Sequence, residues 1–147
     1  MEDKIKGFSK DEIYELYRFV GIYESDIKNP LVDEICQKYP DFSERRWNEI
    51  MKNVNHIKVQ NQNEYERDIS ENTLMDRNTG IERKDVMGHI RNGFAHYLIQ
   101  KDSQTSRISL TDKYPKGRTG QYVVGDISAK YSFDESTFWN IIHIFIR

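Results

Sequence analysis

The chain has 147 residues, 37% hydrophobic, 12% aromatic and 31% charged, with a formal net charge of −2. That much apolar material builds a core and excludes a disordered chain, which pairs low hydrophobicity with high net charge. The near balance of charge argues against broad electrostatic binding to nucleic acid, which works through phosphate neutralisation, but leaves room for a local basic cleft.

Ser9 with Glu12 three residues on forms a capping box, and Ile13, Leu16, Tyr17, Val20 and Tyr23 then recur at helical spacing. Asn29-Pro30 breaks the chain and restarts it, and a short helix through Leu31, Ile35 and Tyr39 stops at Pro40. Asp41 with Glu44 signals a third start, followed by Trp47, Ile50, Met51, Val54 and Ile57 as one amphipathic face. Residues from about 60 to 80 are rich in Asn, Glu and Asp and read as a long polar connection. Thr79 with Glu82 suggests a further capping box, opening a helix that runs to about Gln100.

Beyond that helix the period changes to two. Ile108 and Leu110 alternate with Ser109 and Thr111, and YPKGRTG supplies a turn. Ile127, Ala129, Tyr131 and Phe133 then alternate with Ser128, Lys130 and Ser132, a β-hairpin signature with Gly125 as a bulge position. Asp134 caps a closing helix through Phe138, Ile141, Ile142 and Phe145, although the β-branched content also suits a strand. A single domain over 1–147 is expected.

Cys36 is the lone cysteine, which excludes an internal disulfide or a cysteine-based zinc cluster; between apolar helix positions it reads as core rather than nucleophile. The sequence shows no membrane-span pattern, and MEDKIKGFSK does not read as a signal peptide, so the expected location is cytoplasmic. P-loop, dinucleotide-glycine, HExxH and metal-spaced histidine patterns are all missing, so neither cofactor nor metal is expected.

The helix over residues 85–99 carries the strongest signal. At 100° per residue Val86, Met87, Ile90, Phe94, Tyr97 and Leu98 fall within roughly 120°, a buried stripe. Asp85, His89, Asn92 and His96 share roughly 60° on the opposite side. Arg91 lies about 140° around from His96 and roughly 7.5 Å along the axis. Gly93 in mid-helix costs about 1 kcal/mol relative to alanine, a cost borne more readily where another backbone approaches.

The segment HIRNGFAH, with Arg91-Asn92 followed by His96, resembles the R-N-x-x-x-H motif of the HEPN superfamily. The flanks agree, with Ile90 before the arginine, Ala95 before the histidine and Leu98-Ile99 after it. Some members also follow the motif helix with a β-hairpin and a closing helix. The resemblance implies a mainly α, helical-bundle fold with that C-terminal hairpin and helix. It implies a homodimer through the motif helix, and often metal-independent endoribonuclease activity of a toxin or phage-defence type, with an antitoxin protein as a possible partner.

The chemistry fits those residue types. RNA cleavage through the 2′-OH needs a base, an acid and a cation on the phosphate; imidazole suits the first two roles and the guanidinium fork the third. Arg91, Asn92 and His96 are the candidate catalytic residues, with Asn92 orienting His96 or binding phosphate. One helix offers a single Arg/His pair on diverging faces, so two helices about a two-fold axis would complete a cleft. The alternative is a non-catalytic HEPN-like module binding a partner protein or nucleotide. His89 and His56 read as helix-surface residues, and His143 in IIHIFI as a core or interface residue. Lys113, Lys116 and Arg118 in the turn read as solvated, with a lesser case for guiding RNA, and Arg45-Arg46 is weaker still.

Overall fold

The computed structural model describes residues 5–114 and 126–146. Among them are the strands β1 (Asn55–Lys58), β2 (Thr73–Asp76), β3 (Ile99–Lys101), β4 (Ile108–Lys113) and β5 (Ile127–Phe133). They form one mixed sheet in the order β1-β2-β5-β4-β3, with β1 parallel to β2 and the other pairs antiparallel. The expected mainly α bundle with one hairpin is thereby corrected to an α/β architecture. The hairpin itself is present as β4–β5; its turn, with Lys116, Arg118 and Gly125, lies outside the described residues.

The helices are α1 (Lys10–Ile22), α2 (Val32–Lys38), α3 (Glu44–Met51), α4 (Arg83–Ala95) and α5 (Glu135–Ile142). The Ser9–Glu12 capping box is formed, with Ser9 Oγ accepting from Glu12 N–H at 3.1 Å and Glu12 Oε1 from Ser9 N–H at 2.8 Å. Asp134 caps α5 by accepting from Thr137 N–H. α3 opens on Ser43 rather than Asp41: Phe42 is fully buried in a short 3₁₀ turn, and Ser43 is the first residue free to cap, accepting from Arg46 N–H. The N-cap position of α4 is Glu82, with no side-chain cap, so the Thr79–Glu82 box is not formed.

Two stretches of the expected helical or polar pattern are strands instead. The face expected to continue from α3 through Ile57 stops at Met51, and Ile57 enters β1, paired with Met75. Ile57, Val59, Met75 and Tyr65 make a small cluster on one face of the sheet. The polar connection holds β2, all four of whose residues are buried, and a 3₁₀ turn over Gln62–Glu66. Its polar side chains bond the sheet backbone: Gln62 exchanges two bonds with Ile127, and Tyr65 Oη donates to Ser128 O.

The larger core lies on the other face of the sheet. There Leu74, Ile108, Leu110, Ala129, Tyr131 and Phe133 meet the apolar sides of the helices. Phe19, Tyr39 and Phe42 surround Phe145, with ring centroids 5.1–6.0 Å from it, and tie α1 and the α2–α3 region to the C-terminal segment. Aromatic pairs in this range add about 0.5–1.5 kcal/mol each beyond area burial. Cys36, expected as a core residue, is partly buried and packs against this core. No helix among the described residues is long and apolar enough to cross a membrane.

Candidate functional site

α4 lies between the sheet and α1. Val86, Met87, Ile90 and Phe94 are its buried stripe, and Phe94 meets the exposed Tyr17 ring edge-on at 5.0 Å. The small residues on its other sides have reasons inside the chain. A Cβ on Gly93 would stand 3.3 Å from Leu110 Cβ of β4, and one on Gly88 would stand 3.0 Å from Tyr23 Oη. Gly93 therefore lets β4 approach, and no second copy is needed to account for it.

The helix face expected to be solvated, with His89 and Asn92, turns instead onto the end of β4. His89 Nδ1 lies 2.8 Å from Asp112 Oδ2, which also accepts from Asn92 Nδ2 at 3.0 Å. Asp112 Oδ1 accepts from Lys113 N–H at 2.8 Å. Asn92 Oδ1 in turn accepts from an Arg91 terminal nitrogen at 3.0 Å, and the other terminal nitrogen of Arg91 meets Glu24 Oε1 at 2.6 Å. The result is a continuous chain, Glu24–Arg91–Asn92–Asp112–His89. Asp112 is 4% exposed, so its charge needs these donors: an unpaired buried carboxylate is strongly disfavoured.

A second pair sits two strands away. His56 Nε2 lies 2.8 Å from Asp76 Oδ1, and Tyr131 Oη donates to Asp76 Oδ2 at 3.2 Å. The register explains the layout, because Asp76 and Asp112 both pair with Ala129 of β5, one from each side. Tyr131 links the pairs through its ring, which the His89 ring meets edge-on at 5.6 Å. Burial, then the Asp76 charge, push the Tyr131 hydroxyl well above its ordinary range, so it stays protonated and donates. Burial and the Glu24 charge likewise raise Tyr23, against the lowering pull of Arg91.

Of the residues singled out in the sequence, Arg91 and Asn92 are brought together and His96 stands apart. The Asn92 carboxamide is engaged by Arg91 and Asp112; toward His96 the residue offers only its backbone carbonyl, which accepts from His96 N–H at 3.0 Å. α4 ends at Ala95, five residues before the expected end near Gln100; His96 follows it, exposed, and its imidazole makes no hydrogen bond or ion pair among the described residues. The helix closes there with Tyr97 N–H donating to Phe94 O and Leu98 N–H to Gly93 O, and Tyr97 adopts a left-handed φ of 60°. The chain then enters β3.

The other histidines also differ from expectation. His56 lies on β1 with its side chain 13% exposed, because its strand face points toward Asp76. His143 is not core: its side chain is 49% exposed, near Glu15 and against the Trp139 ring. Arg46 pairs with Glu49 on the surface, and Lys113 is exposed.

Asp112, Asp76, Tyr131 and Glu24 were not singled out in the sequence. Asp112 had a readable signal, since the alternation of Ile108 and Leu110 places it at the next inward position of β4. Among the described residues no three His, Cys, Asp or Glu side chains converge as a metal site would need. Comparison with protein-family models, with curated proteins and with solved structures gave no match.

Proposed function

We propose that the chain is an endoribonuclease that cleaves RNA without metal, through attack of the 2′-OH on the adjacent phosphate, at a site on α4. His96 transfers a proton and Arg91 holds the phosphate. The observation that carries this reading is His96 itself, an exposed imidazole with no partner among the described residues, at the end of the helix that bears Arg91. Support also comes from the Arg91 guanidinium, whose Nε is buried without a hydrogen-bond partner among the described residues. Its terminal nitrogens are held by the Glu24 carboxylate and the Asn92 amide. A phosphate brings two oxygens in the geometry that a guanidinium fork accepts, and displaces the half-exposed Glu24.

A non-catalytic module that binds a partner protein or nucleotide is the second reading, and one observation favours it: Arg91 is already neutralised by Glu24. Incubation of the purified chain with mixed RNA in EDTA separates the two. Cleavage of RNA but not of matched DNA is expected, with 2′,3′-cyclic phosphate ends first. His96→Ala should lose on the order of 10²–10⁴-fold in rate. No cleavage by the wild type, or equal cleavage by His96→Ala, would leave the binding module as the reading.

A further inference from the structure

His89 pairs with a buried carboxylate in a manner that a solvated surface residue has no reason to adopt. From the arrangement we infer that His89, oriented by Asp112, is the second proton-transfer group of the α4 site, so that one chain carries the whole constellation. This rests on the ribonuclease reading above and adds a base to it.

The geometry argues the role in three ways. The bond from Nδ1 to Asp112 Oδ2 at 2.8 Å holds the ring with its proton on Nδ1, which leaves the Nε2 lone pair outward as a base. The Tyr131 ring also packs against the imidazole, nearly perpendicular to it with centroids 5.6 Å apart, and the His89 side chain keeps 20% exposure. The cation is close, because Asn92 joins Asp112 to Arg91 through two hydrogen bonds of 3.0 Å each. Asn92 and Asp112 are positioning residues here, acting through Arg91 and His89.

His89 and His96 are seven residues apart on one side of α4, so their backbones are about 10.5 Å apart along the axis. A ribose-phosphate segment laid along that edge meets both. His89 Nε2 takes the 2′-OH proton as that oxygen bonds to phosphorus. The bond from phosphorus to the 5′-oxygen breaks, its electron pair goes to that oxygen, and His96 gives it a proton. The products are a 2′,3′-cyclic phosphate and a 5′-hydroxyl; one proton is taken up, one is released, and nothing is oxidised or reduced.

The test compares two substrates, mixed RNA and uridine 3′-(4-nitrophenyl) phosphate, whose leaving group needs no proton. His89→Gln should lose on the order of 10²–10⁴-fold on both. His96→Ala should lose a similar factor on RNA while staying near wild type on the nitrophenyl ester. Asp112→Asn, which keeps the shape, should slow both substrates as His89→Gln does; circular dichroism melts show whether each variant is folded, and Asp112→Asn serves if His89→Gln is not. Mixing His89→Gln with His96→Ala should restore nothing if each chain holds its own site. Restored activity would overturn the one-chain site in favour of one shared between two copies. His89→Gln and Asp112→Asn at wild-type rates would remove His89 from the reaction and leave the ribonuclease reading standing. A wild type inactive on both substrates would remove both proposals.

Discussion

His56 and His89 each meet a buried aspartate at 2.8 Å, on the same face of the sheet, and the two aspartates flank the same alanine of β5. What separates the pairs is the nitrogen used. His56 bonds through Nε2, the outer ring nitrogen, which leaves only the nitrogen nearest the backbone. His89 bonds through Nδ1 and leaves the outer one. The surroundings follow the same division. Asp76 is closed off by Tyr131 Oη and by Asn78 N–H, both neutral donors. Asp112 leads through Asn92 to a guanidinium. A histidine–aspartate pair is therefore a structural clamp or a reactive group according to which nitrogen faces outward and what charge lies beyond the carboxylate.

The largest expected effect breaks this comparison most directly. His89→Gln should cut single-turnover RNA cleavage on the order of 10²–10⁴-fold, whereas His56→Gln should leave the rate within a few-fold and lower the melting temperature. Rates in the reverse order would show the clamp and the reactive group to be exchanged. Next in size is Asp76→Ala, which strips a buried acceptor from His56, Tyr131 and Asn78. Leaving buried donors without an acceptor should destabilise the fold by about 1–3 kcal/mol for each group left unpaired, read from urea unfolding midpoints.

How much of this was legible in the sequence differs from element to element. Capped and strongly periodic segments were readable: α1 with its Ser9–Glu12 box, the β4–β5 hairpin, and α5 after Asp134. β2 was not, because four residues, two of them polar, carry no period, and only pairing with β1 and β5 makes them a strand. Losing β2 also hid the sheet and turned an α/β chain into an apparent bundle. In the site, Arg91 and Asn92 were readable as a pair. His89 reads as solvated from sequence, since a helical wheel separates apolar from polar faces and gives no sign that β4 presents Asp112 to the polar one. Gly93 does mark a close approach, as its mid-helix position suggests, but the neighbour is Leu110 of the same chain.

Smaller effects sharpen the contrast around the guanidinium. Arg91→Lys keeps the charge but not the fork; losing one charged hydrogen bond of about 1.5 kcal/mol should slow cleavage roughly ten-fold. Its melting curve should stay near wild type, unlike that of Asp76→Ala. The smallest effect is expected for Glu24→Gln. The Glu24 side chain is 39% exposed, and pairs of this kind are worth about 0–1 kcal/mol, so stability should hardly change. The Michaelis constant for RNA should fall a few-fold as the competing carboxylate is removed, and an increase would show that Glu24 positions Arg91 instead of blocking it.

The closure of α4 at Tyr97 has a consequence for motion. A non-glycine residue held at φ 60° stores about 1–2 kcal/mol, and it is kept there by the bonds from Tyr97 N–H and Leu98 N–H back into the helix. Helix ends without such bonds open and close readily, and their last side chains sweep a wide volume. Here the two amides should exchange slowly with solvent although an exposed residue precedes them. The backbone beneath His96 is thus already ordered before any substrate arrives. What is left to restrict on binding is the rotation of one side chain about two bonds, an entropy loss below about 2 kcal/mol.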